Sequence, residues 1–106
     1  MNVVLQPQGN LDVKVAAMLQ QKVARLAWEK HKRWFIDLSE VNSADHSGLM
    51  SLVAAHRLAL KTGRRLSLCN MKMSLVYLFE ITELDRVLDI LPHNEEAPDL
   101  GEKIIF

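Results

Sequence analysis

The stretch ADHSGL, residues 44–49, sets a carboxylate, an imidazole, a hydroxyl and a glycine side by side. Asp45, His46 and Ser47 are the residue types of a hydrolytic triad, but side chains adjacent in sequence diverge and cannot form the ordered Ser to His to Asp hydrogen-bond chain that activates a serine. Nucleophilic catalysis is disfavoured for that reason. The histidines His31, His46, His56 and His93 are scattered, with no HxxxH pair and no carboxylate at matching spacing, so no metal site is expected. Neither GNLD at 9–12 nor TGRR at 62–65 fits a phosphate-binding loop, and no cofactor is expected.

Two uses of the turn remain open. Ser47 directly precedes the apolar periodicity of a helix, where a side-chain oxygen can accept a hydrogen bond from an unpaired backbone N–H, and Asp45 can do the same from earlier in the chain. That is a helix cap. Gly48 weighs slightly against a cap alone, since glycine at a helical position costs on the order of 1 kcal/mol relative to alanine, less at a helix end. Its use would be access, leaving the Ser47 hydroxyl open to a phosphoryl donor or a partner's loop. A helix N-terminus favours an anion by about 0.3–1 kcal/mol, so a phosphate on Ser47 would be tolerated.

The elements that must position this turn can be read from periodicity. Val3, Val4 and Leu5 begin a short strand that stops at the turn formers Pro7, Gly9 and Asn10. Ala16, Leu19, Val23, Leu26 and Ala27 share one face of a first helix running from Val13. Trp34, Phe35 and Ile36 form a buried strand ending at Asp37, and a loop then leads into ADHSGL. Leu49, Leu52, Val53, Ala59 and Leu60 repeat at helical spacing up to Gly63, a suitable left-handed terminator. Leu66, Leu68 and Cys69 predict another strand, Leu75 to Phe79 a third helix starting near Ser74, and Val87 to Leu91 a strand ended by Pro92. Strands alternating with helices predict an α/β layer sandwich with a mostly parallel sheet of four to five strands. Ile104, Ile105 and Phe106 are either a last edge strand or an exposed docking tag, with packing the preferred reading.

The 106 residues suit one domain spanning 1–106, and 49% apolar content with 25% charged residues places the chain among globular proteins. Thirteen basic residues balance thirteen acidic ones, so no whole-molecule field steers it to nucleic acid or anionic lipid. A single cysteine, Cys69, excludes an internal disulfide and points to a reducing, cytoplasmic setting. No leader pattern and no long apolar span is seen, so neither export nor membrane insertion is expected.

Together GNLD at 9–12, FIDLSEV at 35–41, DHSGL at 45–49 and TEL at 82–84 resemble the STAS domain family, as found in bacterial anti-sigma factor antagonists. The spacing of these landmarks covers nearly the whole chain, and DHSGL after FIDLSEV is the most specific part. The resemblance implies a sheet with helices packed on one face and a protein-binding module rather than an enzyme. It also implies phosphorylation of Ser47 by a partner anti-sigma factor that is a GHKL-type serine kinase, reversed by a metal-dependent serine phosphatase. The unphosphorylated form would sequester that kinase and so act in transcription regulation. Asp45, His46, Gly48 and Leu49, together with Asp12 and Asp37 of the LD and DLS landmarks, would form the partner-binding switch with Ser47. An alternative within the family is a constitutive adaptor, like the small STAS subunits of phospholipid ABC transporters, without phosphoswitching.

Three departures from the family pattern stand out. His46 replaces a second small hydroxyl residue and TEL replaces the usual TGL. The chain also begins at what looks like the family's second strand. The missing first strand would leave a sheet edge open, to be filled by KIIF at 103–106 or by a second copy in a homodimer.

Overall fold

A computed structural model of the chain describes residues 2–92 and 102–106. The apolar runs become the strands β1 (Asn2–Gln6), β3 (Arg33–Asp37) and β5 (Arg65–Cys69), joined by the short β6 (Asp89–Ile90) and by β7 (Glu102–Ile105). They form one sheet in the order β6-β5-β3-β1-β7, with every pair parallel. In register, Val3 lies beside Trp34 and Leu5 beside Ile36, and these in turn neighbour Leu66 and Leu68. Because side chains alternate along a strand, those six residues share one face.

That face is where the helices lie. Leu19, Val23 and Leu26 of α1 (Val13–Leu26), Leu52, Ala55 and Ala59 of α2 (His46–Lys61), and Leu75 and Phe79 of α3 (Met73–Ile81) complete a single core with it. Val4, Phe35 and Ser67 occupy the other face and are also buried. The expected α/β sandwich, with a mostly parallel five-stranded sheet and helices on one face, is the observed one.

Gly63 terminates α2 as expected. It takes φ +75°, its N–H donates to the Leu60 carbonyl at 3.1 Å, and the Arg64 N–H reaches the Ala59 carbonyl at 2.7 Å. That paired closure satisfies carbonyls the helix leaves without partners.

Several boundaries differ from expectation. Gly9–Leu11 is a strand, β2, rather than only a turn, and Val41–Ala44 is a strand, β4, rather than a loop; the two pair in parallel as a separate ladder. Helix α2 begins at His46, three residues before its first buried leucine. The strand expected over Val87 to Leu91 shrinks to two residues, because Leu84–Arg86 wind into a 3₁₀ turn whose Leu84 carbonyl accepts from both the Val87 and Leu88 N–H groups. The terminal KIIF segment supplies β7, which pairs with β1 from Val3 beside Glu102 to Gln6 beside Ile105. The edge of β1 is thus filled from within the chain. Of the histidines considered above, His93 lies outside the described residues.

Candidate functional site

The small ladder aims two helices at one surface. The Gly9 N–H donates to the Glu40 carbonyl at 2.9 Å, and the Asp45 N–H donates to the Leu11 carbonyl at 3.2 Å. Each strand then runs straight into a helix, β2 into α1 and β4 into α2. Asp12 caps α1, its Oδ1 accepting from the Val15 N–H at 3.1 Å, and Asp45 caps α2, its Oδ1 accepting from the Gly48 N–H at 2.9 Å. The cap of α2 is therefore Asp45 and not Ser47. A β-region residue with a short acceptor side chain suits that position, and the helical turn has already begun when the chain reaches Ser47.

Ser47 sits at the second helical position, partly exposed, and its hydroxyl makes no hydrogen bond among the described residues. His46 precedes it and is exposed. The first N–H groups of a helix have no partner within it, and Asp45 takes up only that of Gly48. The hydroxyl therefore stands beside outward-pointing backbone donors, with one fixed carboxylate as neighbour.

Gly48 serves packing rather than access. A Cβ there would lie 1.9 Å from the Leu11 carbonyl oxygen and 2.8 Å from its carbon. Only glycine lets the first turn of α2 press against the end of β2. Leu49 likewise belongs to the core and anchors the turn.

The model of the family described as "Mlab, STAS domain" matches residues 2–92. The chain belongs to the STAS domain family. Its sequence is 34% identical over 87 residues to an anti-sigma-B factor antagonist of Bacillus subtilis strain 168, covering 82% of this chain and 79% of that protein. Among solved structures, a sulfate transporter family protein from Wolinella succinogenes superposes with a TM-score of 0.78 at 18% identity, covering 88% of this chain and 78% of that one. The SulP transporter STAS domain of Vibrio cholerae gives 0.70 at 13% identity, with 86% and 73% covered. The anti-sigma factor antagonist SpoIIAA in its unphosphorylated form gives 0.64 at 13%, with 90% and 80% covered. These last three likenesses establish the shared STAS fold.

Within this STAS domain, Asp12, Asp45, His46 and Ser47 come together where β2 and β4 feed the helices, while Asp37 does not join them. It is only 8% exposed. Its Oδ1 accepts from the Ser39 N–H at 2.9 Å and its Oδ2 faces Gln6 Nε2 at 3.5 Å, a structural role at the end of β3. Asp37, expected among the partner-binding residues, is thus placed behind the exposed surface that carries Asp12, Asp45 and His46.

Other polar residues reach the rim that the motif did not name. Ser43 Oγ donates to Asn10 Oδ1 at 2.9 Å, and Lys72 Nζ donates to Asn42 Oδ1 at 2.5 Å, while Ser74 Oγ donates to the Asn42 carbonyl at 3.3 Å and ties α3 to β4. The exposed Asn42 and Ser43 of VNSA were the available signal, read as loop residues because a short polar strand has no periodicity to show. No helix among the described residues is long and apolar enough to cross a membrane.

Two further polar clusters lie away from the rim. On the sheet face opposite the helices, buried Ser67 donates to Asp89 Oδ2 at 2.5 Å and accepts from Arg33 Nη2 at 2.7 Å, while Arg65 Nε donates to the same Asp89 oxygen at 2.9 Å. Burial alone would raise the Asp89 pKa, but the Ser67 and Arg65 hydrogen bonds and the charges of Arg65 and Arg33 outweigh it and hold the carboxyl below its usual range. Near the start of β7, His31 lies between Glu29, 3.3 Å from Nδ1, and Glu102, 3.4 Å from Nε2. These three side chains are close enough to share an ion. Their carboxylates face different ring nitrogens, however, whereas the ligands of a metal converge on one point. Nothing in the local spacing of Glu29 and His31 announces Glu102.

Proposed function

We propose that the chain is a phospho-regulated binding module, like an anti-sigma factor antagonist, and not an enzyme. Unphosphorylated, it sequesters an anti-sigma factor or related GHKL-type kinase in the cytoplasm; that kinase phosphorylates Ser47, and a metal-dependent phosphatase restores it. The observation that carries this reading is the Ser47 hydroxyl on the first turn of α2, following exposed Asp45 and His46 and without a hydrogen bond among the described residues. Similarity to an anti-sigma-B factor antagonist over most of the chain supports it.

Elementary electrostatics supports such a switch. A phosphate brings about −1.5 to −2 charges. At about 6 Å and an effective dielectric of about 20, a pair of unit charges repels by about 3 kcal/mol, less where solvent and salt screen it. Asp45 cannot swing aside without giving up its cap. The helix amides offset only about 0.3–1 kcal/mol. The fold tolerates the phosphate, and an interface shaped to a small hydroxyl rejects it.

Incubation with the cognate GHKL kinase and ATP adds one phosphate to the wild type and none to Ser47→Ala, read by intact mass. Absence of that mass gain with every kinase encoded beside the gene would overturn the proposal. A second reading, the constitutive adaptor of a phospholipid ABC transporter, draws on His46 beside the acceptor and on the Mlab description of the matching family. It predicts co-purification with an ATPase subunit that is indifferent to Ser47→Asp.

A further inference from the structure

Zero net charge conceals a polar arrangement. Since the main strands run parallel, the returns from α1 to β3 and from α2 to β5 both lie at the edge of the sheet opposite the Ser47 rim. Arg64 fastens them together, its Nε donating to the His31 carbonyl at 2.8 Å and its Nη2 to the Glu29 carbonyl at 2.5 Å. Exposed Arg25, Lys30, Lys32, Arg57 and Lys61 gather at this end. Among the acids there, Glu29 and Glu102 lie against His31 and Asp89 against Arg65, while Glu80, Glu83 and Asp85 are exposed farther off, at the end of α3 and in the turn that follows it. At the far end Asp12, Glu40 and Asp45 are exposed, with Lys14 and Lys72 as the exposed cations beside them.

At the centre of the basic end stands Trp28, 92% exposed, beside a shallow groove of about 400 Å³ lined by Ala24, Ala27, Leu58 and Thr62. Leu60, 59% exposed, lies on the last turn of α2. An indole left in water and surrounded by lysine and arginine suits the headgroup zone of a bilayer, where the ring fits the interface and the cations meet lipid phosphates. A nucleic-acid strand asks for a track of stacking aromatics, whereas the only other tryptophan, Trp34, is fully buried.

We propose that this end docks peripherally on an anionic phospholipid surface, with Trp28 entering the interfacial layer and the basic residues around it pairing with lipid phosphates. Docked so, the Ser47 rim faces away from the bilayer and stays open to a protein partner. The proposal stands independently of any phosphorylation of Ser47.

Co-sedimentation with phosphatidylcholine vesicles containing about one-third phosphatidylglycerol, against vesicles of phosphatidylcholine alone, tests it. Binding is expected only to the anionic vesicles, weakening with salt and accompanied by a blue shift of the exposed tryptophan emission; Trp34, already buried, contributes a constant background. Lys30→Gln with Lys32→Gln should weaken partitioning about 25-fold, at about 1 kcal/mol and hence about five-fold per basic residue. Trp28→Ala should reduce binding and abolish the shift. All three positions are exposed, and an unchanged melting curve confirms the fold of each variant. Equal binding to neutral vesicles, no binding to anionic ones, insensitivity to both variants, or tighter binding to single-stranded DNA or polyglutamate than to the vesicles would each overturn it.

Discussion

The carbonyl oxygen of Leu11 occupies the space a side chain on residue 48 would need, 1.9 Å from the position of its Cβ. Since the obstacle is backbone, no rotamer change relieves it. Gly48→Ala is expected to destabilise by about 3 kcal/mol, the upper end for overpacking, and to lower Tm by 10 °C or more at about 4–8 °C per kcal/mol. A melting curve matching the wild type would show that β2 and α2 can part freely.

Cap and acceptor are separate residues, and they should respond separately. Asp45→Ala removes the acceptor for the Gly48 N–H and should cost about 1 kcal/mol in urea unfolding. Ser47→Ala loses no hydrogen bond among the described residues and should stay within about 0.5 kcal/mol of wild type. The reverse order of effects would return the cap to Ser47.

Asp89 sets an acid limit. Its pKa is lower in the folded chain than in the unfolded one, so the unfolded state binds its proton first as pH falls. The contribution is fully present above the unfolded value near 4 and is lost as pH drops through the lower folded value. Unfolding free energy measured from pH 6 to pH 2 should therefore fall less steeply at the acid end in Asp89→Asn than in wild type. Parallel profiles would assign the acid response to other carboxyls.

Glu83 holds φ +60° directly after α3, the place where the family pattern has glycine. A non-glycine residue in that conformation costs about 1 kcal/mol, and its 3.9 Å contact with Arg86 is between exposed groups and worth little. Glu83→Gly is expected to raise Tm by several degrees in differential scanning calorimetry. A lowered Tm would mean that the Arg86 contact outweighs the strain.

Strand β7 covers the outer side of β1. Deleting residues 103–106 strips those backbone hydrogen bonds and exposes a flat apolar edge, so the truncated chain should melt lower and self-associate in light scattering. Unchanged melting and unchanged size would make the segment dispensable.

Periodicity carried the large elements. Trp34 to Ile36 and the leucines of α2 announce themselves because burial imposes spacing on apolar residues. The DHSG turn was legible as a landmark, yet the jobs within it were not. Ser47 and Asp45 offer equivalent oxygens in sequence, and only the start of α2 at His46 decides between them. Gly48 looked like an opening because its obstacle, the Leu11 carbonyl, is distant in sequence and carries no residue identity. Likewise β2 and β4 exist through pairing with each other, and Glu102 meets His31 only once β7 has docked.

The two capping aspartates carry a lesson about divergence among relatives. Asp12 and Asp45 both hold a helix end and, in the proposed function, both belong to the partner-binding surface, so a change at either would alter stability and recognition together. His46 and Ser43 are under no such double duty to a helix. New partner preferences can accumulate at these positions while the scaffold stays constant, and His46, where this chain leaves its family's pattern, sits at one of them.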